Sequence, residues 1–450
     1  FHDILPGTCI HAAHAEALAV VGNVIRSAGQ MTQEMLGTSG GGAALYNTLG
    51  FPREDTLYLP AKAAGVAGAK AQRFSSLDGE ALLAVSGLAL PALGTQALSY
   101  TDAPCGDASP FTLKDDRLQT PFAEIRFDQN GFIASMTDRR TGRELVQGLP
   151  FNTFLMAEDI PAKWDAWDVD ADLHEKFRPC ATLVSREVIA DGPVELRIRS
   201  TYRLTELSTI TQDMVFDAAS PMISFDTVMD WQEEHRFLKT AFDTALLCDG
   251  ARSEIQFGHI RRSNRRSTDA EKARHEVCNH KFTDLSEASY GIALLNDCKY
   301  GLSVSGGSMR LSLHKGGMRP DKEGDKGIHR CRYAVLPHAA PFGAQSVIRP
   351  AYAFNYAPIV IQGGAAPVSL AAIDRSNIVI EAVKPCEDAA RAYIVRLYEA
   401  MGDYTTASMT FGHPVTSVQE CNMLEEEQAA ADARALTFRP FEIKTIKVHY

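Results

Sequence analysis

Hydrophobic and polar positions change period once along this chain. Between residues 11 and 36, HAAHAEALAVVGNVIRSAGQMTQEML sets Leu18, Val21, Ile25, Ala28, Met31 and Met35 at steps of three and four. That spacing draws one apolar stripe on an α-helix. Gly37, followed by Thr38-Ser39-Gly40-Gly41-Gly42, ends it. Beyond this point no segment keeps the helical period for as long. From 42 to 100 the pattern is short strands punctuated by Pro and Gly: LYNTLGFPRED, TLYLP and ALLAVSGLAL. Residues 103–112, APCGDASPFT, read as a linker. In 123–146, Ile125 and Phe127 alternate with Glu124, Arg126 and Asp128 before Gln129-Asn130-Gly131 turns the chain. Asn-Gly between alternating runs is a strong hairpin signal. Alternation recurs at 182–189, 194–204, 209–216 and 222–230. A Pro-, Gly- and Ala-rich break falls near 338–366, and 376–383, 392–398, 405–411 and 435–449 again read as strands. Strands about ten residues apart, with no helical pattern between them, predict a sandwich of antiparallel sheets behind one N-terminal helix.

Length adds a domain count. A single core stops growing at roughly 250–300 residues, so 450 residues predict two to four packed domains. With 45% apolar and 22% charged residues, collagen, low-complexity disorder and a coiled coil are excluded. The charge balance of 45 basic and 56 acidic residues gives −11, which argues against nucleic acid and anionic membranes as partners. The long uncharged run 81–101 is interrupted by Gly87, Pro91 and Gly94, and LPALGT reads as a turn between two strands rather than part of a membrane helix. No charged segment followed by an apolar one stands at the start, so no signal peptide is expected. Nine scattered cysteines, none in a CxxC pair, predict reduced thiols and a cytoplasmic setting.

Three constellations carry chemistry. FHDILPGT opens the chain with His2 beside Asp3; imidazole is the commonest zinc ligand, yet a zinc site needs three or four ligands and no HxH or HExxH accompanies this pair. A surface His with a capping Asp is the plainer reading, and His11 and His14 are read as surface residues too. PAKWDAWDVDAD, residues 161–172, packs two of the three tryptophans with Asp165, Asp168, Asp170 and Asp172. Aromatic faces beside carboxylates suit a sugar, whose C–H face stacks while its hydroxyls donate. The alternative is an irregular loop with core tryptophans. An EF-hand is excluded because the loop glycine and the twelfth-position glutamate are missing. In 258–301, six basic side chains fall between Arg261 and Arg274 without an aromatic to stack a base, so a solvated loop is the default.

These motifs, taken in order, resemble the C-terminal portion of glycoside hydrolase family 38 α-mannosidases, the bacterial and cytosolic-type branch. FHDILPGT is similar to the family's FHD-x-x-PG, and YNTLGFPRED at 46–55 to its FN-x-LS-x-RE. WDAWDVD, FTDLSEASYGIALLNDCKYG, PDKEGDKGIH at 320–329 with LPH at 336–338, and FRPFEIKT at 438–445 follow in family order. The resemblance implies a mainly β fold: an antiparallel, galactose-mutarotase-like supersandwich with an N-terminal helical segment and small flanking β domains. The expected division is 1–41 as a helical-bundle remnant, 42–104 as a small β domain, 113–340 as the supersandwich and 341–450 as a C-terminal β domain.

The resemblance also implies retaining hydrolysis of terminal α-mannosides with one zinc ion. The nucleophile and the acid/base are expected in an N-terminal catalytic domain that the chain lacks, so no catalytic residue is assigned within it and the chain alone is expected to be inactive and free of zinc. His2 matches the fourth zinc ligand and Asp3 a substrate contact. Trp167, Asp168, Arg262, Asp284 and Glu287 are carried as further substrate-binding candidates. The loop departs from the family pattern at Ser263, Asn264, Ala270, His275 and Phe282, which reduces its aromatic character. The expected partners are an α-mannoside or oligosaccharide and the catalytic domain, and the sequence is compatible with homo-oligomerisation. The competing class is a non-catalytic carbohydrate-binding or scaffold β protein descended from such an enzyme. A mutarotase or lyase using the supersandwich alone is a weaker third, because function is argued from the site and not from the fold.

Overall fold

The computed structural model describes residues 10–38, 42–165, 168–319, 321–365 and 368–450. Helix α1 spans His11–Leu36, the bounds its apolar spacing predicts. None of its side chains is buried, and Leu18, Val21, Ile25, Met31 and Met35 are each more than half exposed. Polar contacts tie α1 down at both ends. The His11 N–H donates to the Asp321 carboxylate at 3.0 Å. The Gln33 amide exchanges two 2.8 Å hydrogen bonds with the backbone of Gln362. Gly37 leaves the helix in an extended conformation (φ −68°) and bridges to Ala365.

The small β unit follows. Ala43–Asn47 is the middle strand of a three-stranded sheet, between Gly94–Leu98 and Ile359–Gln362. A second sheet orders Leu57–Pro60, Ala81–Ser86 and Lys70–Ser75. The uncharged run 81–101 is thus strands, Ala81–Ser86, Gly94–Leu98 and the short Tyr100–Thr101, with a turn after the first, and no helix among the described residues is long and apolar enough to cross a membrane. Asn47 is fully buried and closes the YNTLGFPRED segment. Its amide donates to Phe51 O at 2.9 Å and Pro91 O at 2.8 Å, while its oxygen accepts from Leu49 N–H at 3.1 Å.

The large body is an antiparallel supersandwich; every strand pair among the described residues is antiparallel. A five-stranded sheet carries the expected hairpin, Ala123–Phe127 with Ile133–Asp138. Gly131 takes φ +76°, which glycine adopts without strain, and the Asp128 carboxylate accepts from Asn130 and Phe132 N–H at 2.9 Å each. A six-stranded sheet is built around Thr153–Glu158, Arg236–Asp243 and Ser308–Gly316. A nine-stranded sheet runs from Thr182–Asp191 through Glu195–Arg203, Thr209–Asp217, Ile223–Trp231, Gly327–His338, Gly291–Asn296, Phe282–Ser286 and Ala251–Ile255 to Gly258–Arg262. The two larger sheets bury Phe154, Tyr202, Phe225, Trp231, Phe242 and Tyr333 between them. A buried amide pair pins them together. Asn152 donates to Gln212 at 2.6 Å and accepts from Tyr333 OH at 2.6 Å and Thr240 Oγ1 at 3.1 Å. Asn152, Gln212, Thr240 and Tyr333 thus satisfy one another, as burial requires, whereas Tyr202 OH and Trp231 Nε1 are buried in the same core without a hydrogen-bond partner among the described residues.

At the C-terminal end, Ile378–Pro385, Ala392–Glu399, Ile443–His449, Ser417–Cys421 and Glu427–Ala430 form a five-stranded sheet. The segment 405–411, a single strand in the alternation, splits into Thr405–Ala407 and Met409–Phe411. They pair with different partners, Leu436–Phe438 and Ala371–Ile373, and Ser408 N–H turns to Asp374 Oδ1 at 2.7 Å between them. The run 435–449 breaks at a turn where Glu442 N–H donates to Arg439 O at 3.0 Å. Two short helices, α2 (Leu173–Lys176) and α3 (Asp269–Lys272), lie in loops of the large body. A π-helical turn, Ala344–Ile348, leads into α4, Arg349–Asn355. Val347, Ala351 and Tyr352 pack against Phe51 of the small unit, Leu295 and Leu336 of the supersandwich, and Val379 and Tyr398 of the C-terminal unit. The segment 341–370 therefore joins all three units, and its strand Ile359–Gln362 completes the sheet of the small one.

On the outer face of the nine-stranded sheet the register lines up charges. Arg199, Asp213, Asp226 and Arg332 are directly opposite one another on four neighbouring strands. Two carboxylates facing each other would repel, but Arg197, with a side chain 2% exposed, sits over both. It reaches Asp213 at 3.2 Å, Asp226 at 2.7 Å and Glu195 at 2.9 Å. The small unit covers this cluster. Tyr58 OH donates to Glu195 at 2.9 Å, Phe74 lies 4.1 Å beneath the guanidinium, and Gln72 bonds the backbone of Val194 and Glu195. Removing one member of a buried ion cluster strands the others' charge, at a cost of about 3–5 kcal/mol. Arg197→Ala is expected to lose about that much stability by urea unfolding monitored through tryptophan fluorescence; a loss under about 1 kcal/mol would show that the cluster is solvated in solution.

Candidate functional site

The residues read as sugar-binding stand on a loop at one end of the supersandwich, between Thr153–Glu158 and α2. Its carboxylates divide between bracing and exposure. Asp165 Oδ2 accepts from the backbone N–H of Met318 and, at 3.0 Å, of Arg319. Its Oδ1 is 3.3 Å from His235 Nδ1. Asp170 accepts from Ala162 N–H at 3.1 Å, and Asp172 pairs with Lys176 at 2.8 Å across one turn of α2, which holds its carboxyl below the usual range. Asp159, at the base of the loop, is buried against Lys315, and burial pushes its carboxyl upward despite that cation. Lys315 also donates to Asp168 O at 3.0 Å. Asp168 itself is exposed, as is Trp164 at 65%, held at φ +56°. Trp164 is therefore no core residue; its ring is exposed, as is the Asp168 carboxylate, whose Oδ1 accepts from Val169 N–H at 3.2 Å. Trp167, like His2 and Asp3, lies outside the described residues.

The neighbouring loop, 316–326, holds the other side. Gly317 N–H donates to Asp325 Oδ2 at 3.1 Å. The Asp325 carbonyl accepts from two imidazoles, His314 Nε2 at 3.1 Å and His329 Nε2 at 2.8 Å. Their rings stand 4.1 Å apart, and His314 also packs on buried Trp231 at 4.9 Å. Burial, then His329 beside it, brings the His314 pKa down to about 3, and burial lowers that of His329 as well. Asp321 of the same loop receives the first N–H of α1. Three segments that share no local sequence signal thus meet: the start of α1, the 159–172 loop and the 316–326 loop. His314 and His329 come from separate strands and His235 from the bend before a third, so nothing in sequence spacing could have grouped them.

The remaining candidates are engaged elsewhere, each with its own partners. Asp284 is buried, bonded to Ser286 Oγ and, at 2.8 Å, to His338 Nε2. The FTDLSE and LPH motifs therefore meet in one buried pair. Gly291 lies where a Cβ would come within 2.4 Å of both His338 and Ser286, so only glycine lets the strands close. Glu287 takes a two-pronged ion pair from Arg143, 2.6 and 2.7 Å, and a 2.8 Å bond from Leu247 N–H, and the guanidinium holds its carboxyl low. That pair ties the five-stranded sheet to the nine-stranded one. Arg262 donates to Cys278 O at 3.2 Å on the wall of a basic cleft. Among the described residues, no group of three or more His, Cys, Asp or Glu side chains is placed to hold a metal ion.

Comparison with known proteins was made on sequence and on fold. Residues 118–323 match the family model described as the glycosyl hydrolases family 38 C-terminal domain, and residues 377–446 match the family 38 C-terminal beta sandwich domain. Alpha-mannosidase 2C1 of Homo sapiens is 30% identical over 467 residues, covering 99% of this chain and 44% of that protein. Alpha-mannosidase G of Dictyostelium discoideum is 33% identical over 354 residues, 74% of this chain and 32% of that one. The chain thus spans less than half the length of these curated relatives. An alpha-mannosidase structure from Enterococcus faecalis V583 superposes with a TM-score of 0.74 at 14% identity, over 98% of this chain and 61% of that one, which shows a shared fold.

The histidine pair makes stability depend on pH. Unfolded imidazoles take up protons below about pH 6.5, whereas native His314 stays neutral down to about 3. The unfolded state therefore binds more protons in this window, and native stability falls as pH falls from 7 toward 4. His314→Gln keeps an N–H donor for the Asp325 carbonyl and removes one titrating group. Asp159 and Asp325, whose carboxyls burial raises, act in the opposite direction in both proteins, so the difference isolates His314. Urea unfolding at pH 7, 6 and 5 is expected to show a shallower decline for the variant, by up to about 1.4 kcal/mol per pH unit. Parallel profiles would place His314 in contact with solvent.

Proposed function

The chain belongs to glycoside hydrolase family 38, and we propose that it is the C-terminal part of a retaining α-mannosidase acting on terminal α-mannosides. The observation that carries this reading is the 3.0 Å bond from His11 N–H to Asp321. Through it, the start of α1 is held at the 316–326 loop, whose Met318 and Arg319 N–H groups bond Asp165 of the loop where Trp164 and Asp168 are exposed. An aromatic face and a carboxylate there suit the C–H face and the hydroxyls of a pyranose. The relatives that match nearly the whole chain carry the name alpha-mannosidase.

Retention of configuration requires two carboxyls about 5–5.5 Å apart. We assign both to a domain preceding Phe1, and to this chain the binding and positioning of the sugar. Asp168 accepts a hydroxyl, Trp164 and Trp167 offer stacking faces, and Asp3 contacts hydroxyls near the scissile bond. His2 is assigned as one ligand of a zinc ion, which would supply an electrophile for vicinal hydroxyls when bound. The described residues do not by themselves fit that ion, so His2 would share it with ligands from the preceding domain. The eight described cysteines are free, in keeping with a reducing cytoplasm.

The test uses 4-nitrophenyl α-mannoside, with the longer protein that includes the preceding domain compared against the 450 residues alone. Turnover is expected only in the former. There, His2→Ala is expected to lose zinc, measured by elemental analysis, together with activity. Trp164→Ala is expected to raise KM about 5–10-fold with its unfolding midpoint unchanged, the loss expected for one aromatic contact. Turnover by the 450 residues alone, or wild-type zinc and rate in His2→Ala, would overturn the assignment. Mannoside binding by the longer protein without turnover would favour a non-catalytic carbohydrate-binding protein.

A further inference from the structure

The basic run between Arg261 and Arg274 is largely exposed, as a solvated loop is, but part of it also walls a cavity. Capped by Thr268 and Glu271, α3 turns it back on the six-stranded sheet. Arg266, Arg274 and His275 there enclose a cavity of about 240 Å³ with His174 of α2, Ser305 and Arg310. No carboxylate lines it. The two acids nearest to it are already engaged. Glu271 accepts from Ser263 Oγ at 2.7 Å, Ser267 N–H at 2.9 Å and Thr268 N–H at 3.0 Å. Glu276 is bound to Lys239 and, at 2.9 Å, to Ser312 Oγ.

Three guanidiniums thus converge on one cavity, and among the described residues none of them has an ion-pair partner. In a chain of net charge −11 this is a concentration of positive charge that folding alone would disperse. The cavity wall also holds unpaired ring nitrogens. His174 Nε2 and His275 Nδ1 are buried without a hydrogen-bond partner, their rings 5.3 Å apart and nearly parallel. Buried polar atoms in a native fold are ordinarily satisfied, so these two call for a ligand.

We propose that this cavity binds a phosphate group, free or as the ester of a small sugar, through Arg266, Arg274 and Arg310 with His174 and His275 on its wall. A tetrahedral dianion offers many acceptor lone pairs, and guanidiniums match it with paired, charge-assisted donors. Ser305 adds a hydroxyl. Burial and the surrounding cations bring the His174 pKa down to about 4, so the empty cavity keeps this imidazole neutral rather than adding a further charge. A nucleic acid fits less well, because no Phe, Tyr or Trp lines the cavity to stack a base.

The test is calorimetric titration of the purified protein in chloride buffer with inorganic phosphate, glucose 6-phosphate and glucose. It does not depend on glycosidase activity, so it stands apart from the assays above. Phosphate is expected to bind at one site. The double variant Arg274→Gln, Arg310→Gln is expected to bind roughly 100-fold more weakly, about tenfold for each charged hydrogen bond lost. Its unfolding midpoint without phosphate reports on folding, and the exposed Arg266→Gln, expected to lose about tenfold, replaces it if it does not fold. Tighter binding of glucose 6-phosphate than of phosphate, with none of glucose, identifies an ester; equal binding identifies free phosphate. Absence of phosphate binding, an affinity unchanged in the variants, or binding of a single-stranded RNA 20-mer without binding of phosphate would each overturn the proposal.

Discussion

A guanidinium 2% exposed cannot shed its charge, so the chain has to bring acceptors to Arg197 or leave it unfolded. It does so with three carboxylates drawn from adjacent strands, and the arrangement holds at a single register. Because side chains alternate faces, a slip of one residue in Thr209–Asp217 or Ile223–Trp231 would turn Asp213 or Asp226 into the aromatic core. The charge row therefore fixes the central sheet more sharply than apolar alternation does. It also fixes what covers that sheet, since Tyr58, Gln72 and Phe74 reach the cluster from the small unit. The small unit in turn holds α4, with Arg53 donating to Ala353 O at 3.0 Å and also to Tyr356 O.

The sugar-type loops depend on this frame at one remove. Ile223–Trp231 pairs along its whole length with residues 327–335 of Gly327–His338. The register that places Asp226 opposite Arg332 therefore also sets where Trp231 and His329 stand at the far end. There the strands give way to loops whose carboxylates point inward, at backbone N–H groups, rather than outward at solvent. Asp165 and Asp325 are spent in shaping the loops, and Asp168 is exposed with one bond, from Val169 N–H at 3.2 Å. A cluster of aspartates is thus mostly scaffold.

How much of this could be read from the sequence follows from which interactions are local. The strands Glu195–Arg203, Thr209–Asp217 and Ile223–Trp231 were legible within a residue or two, because their alternation is set by the face each one buries; helix α1 was legible from its apolar spacing although it buries none of its side chains. The hairpin at Gly131 was legible through its turn residues. The split of 405–411 was not, because a change of pairing partner leaves no mark on alternation. Among the site residues, the exposed carboxylate of Asp168 agreed with its motif. Asp284 and Glu287 looked equally reactive in sequence, yet their partners His338 and Arg143 lie 54 and 144 residues away and hold them as braces. The cavity walled by the basic loop was not legible because Arg310 and His174, which also line it, lie outside that segment.

The placement of Ile359–Gln362 in the first sheet has a consequence for how the protein is made. Ala43–Asn47 leaves the ribosome well before one of its two neighbours, with which it pairs across more than three hundred positions, as does the Gln33–Gln362 contact beside it, which spans 329. At about 5–20 residues per second, the edge beside Ala43–Asn47 stays open for on the order of tens of seconds of synthesis. An unpaired edge of that kind is a template for pairing with other chains. Translation speed and holding chaperones should therefore matter more to the yield of this protein than its final stability does, because its first sheet is among the last to be completed.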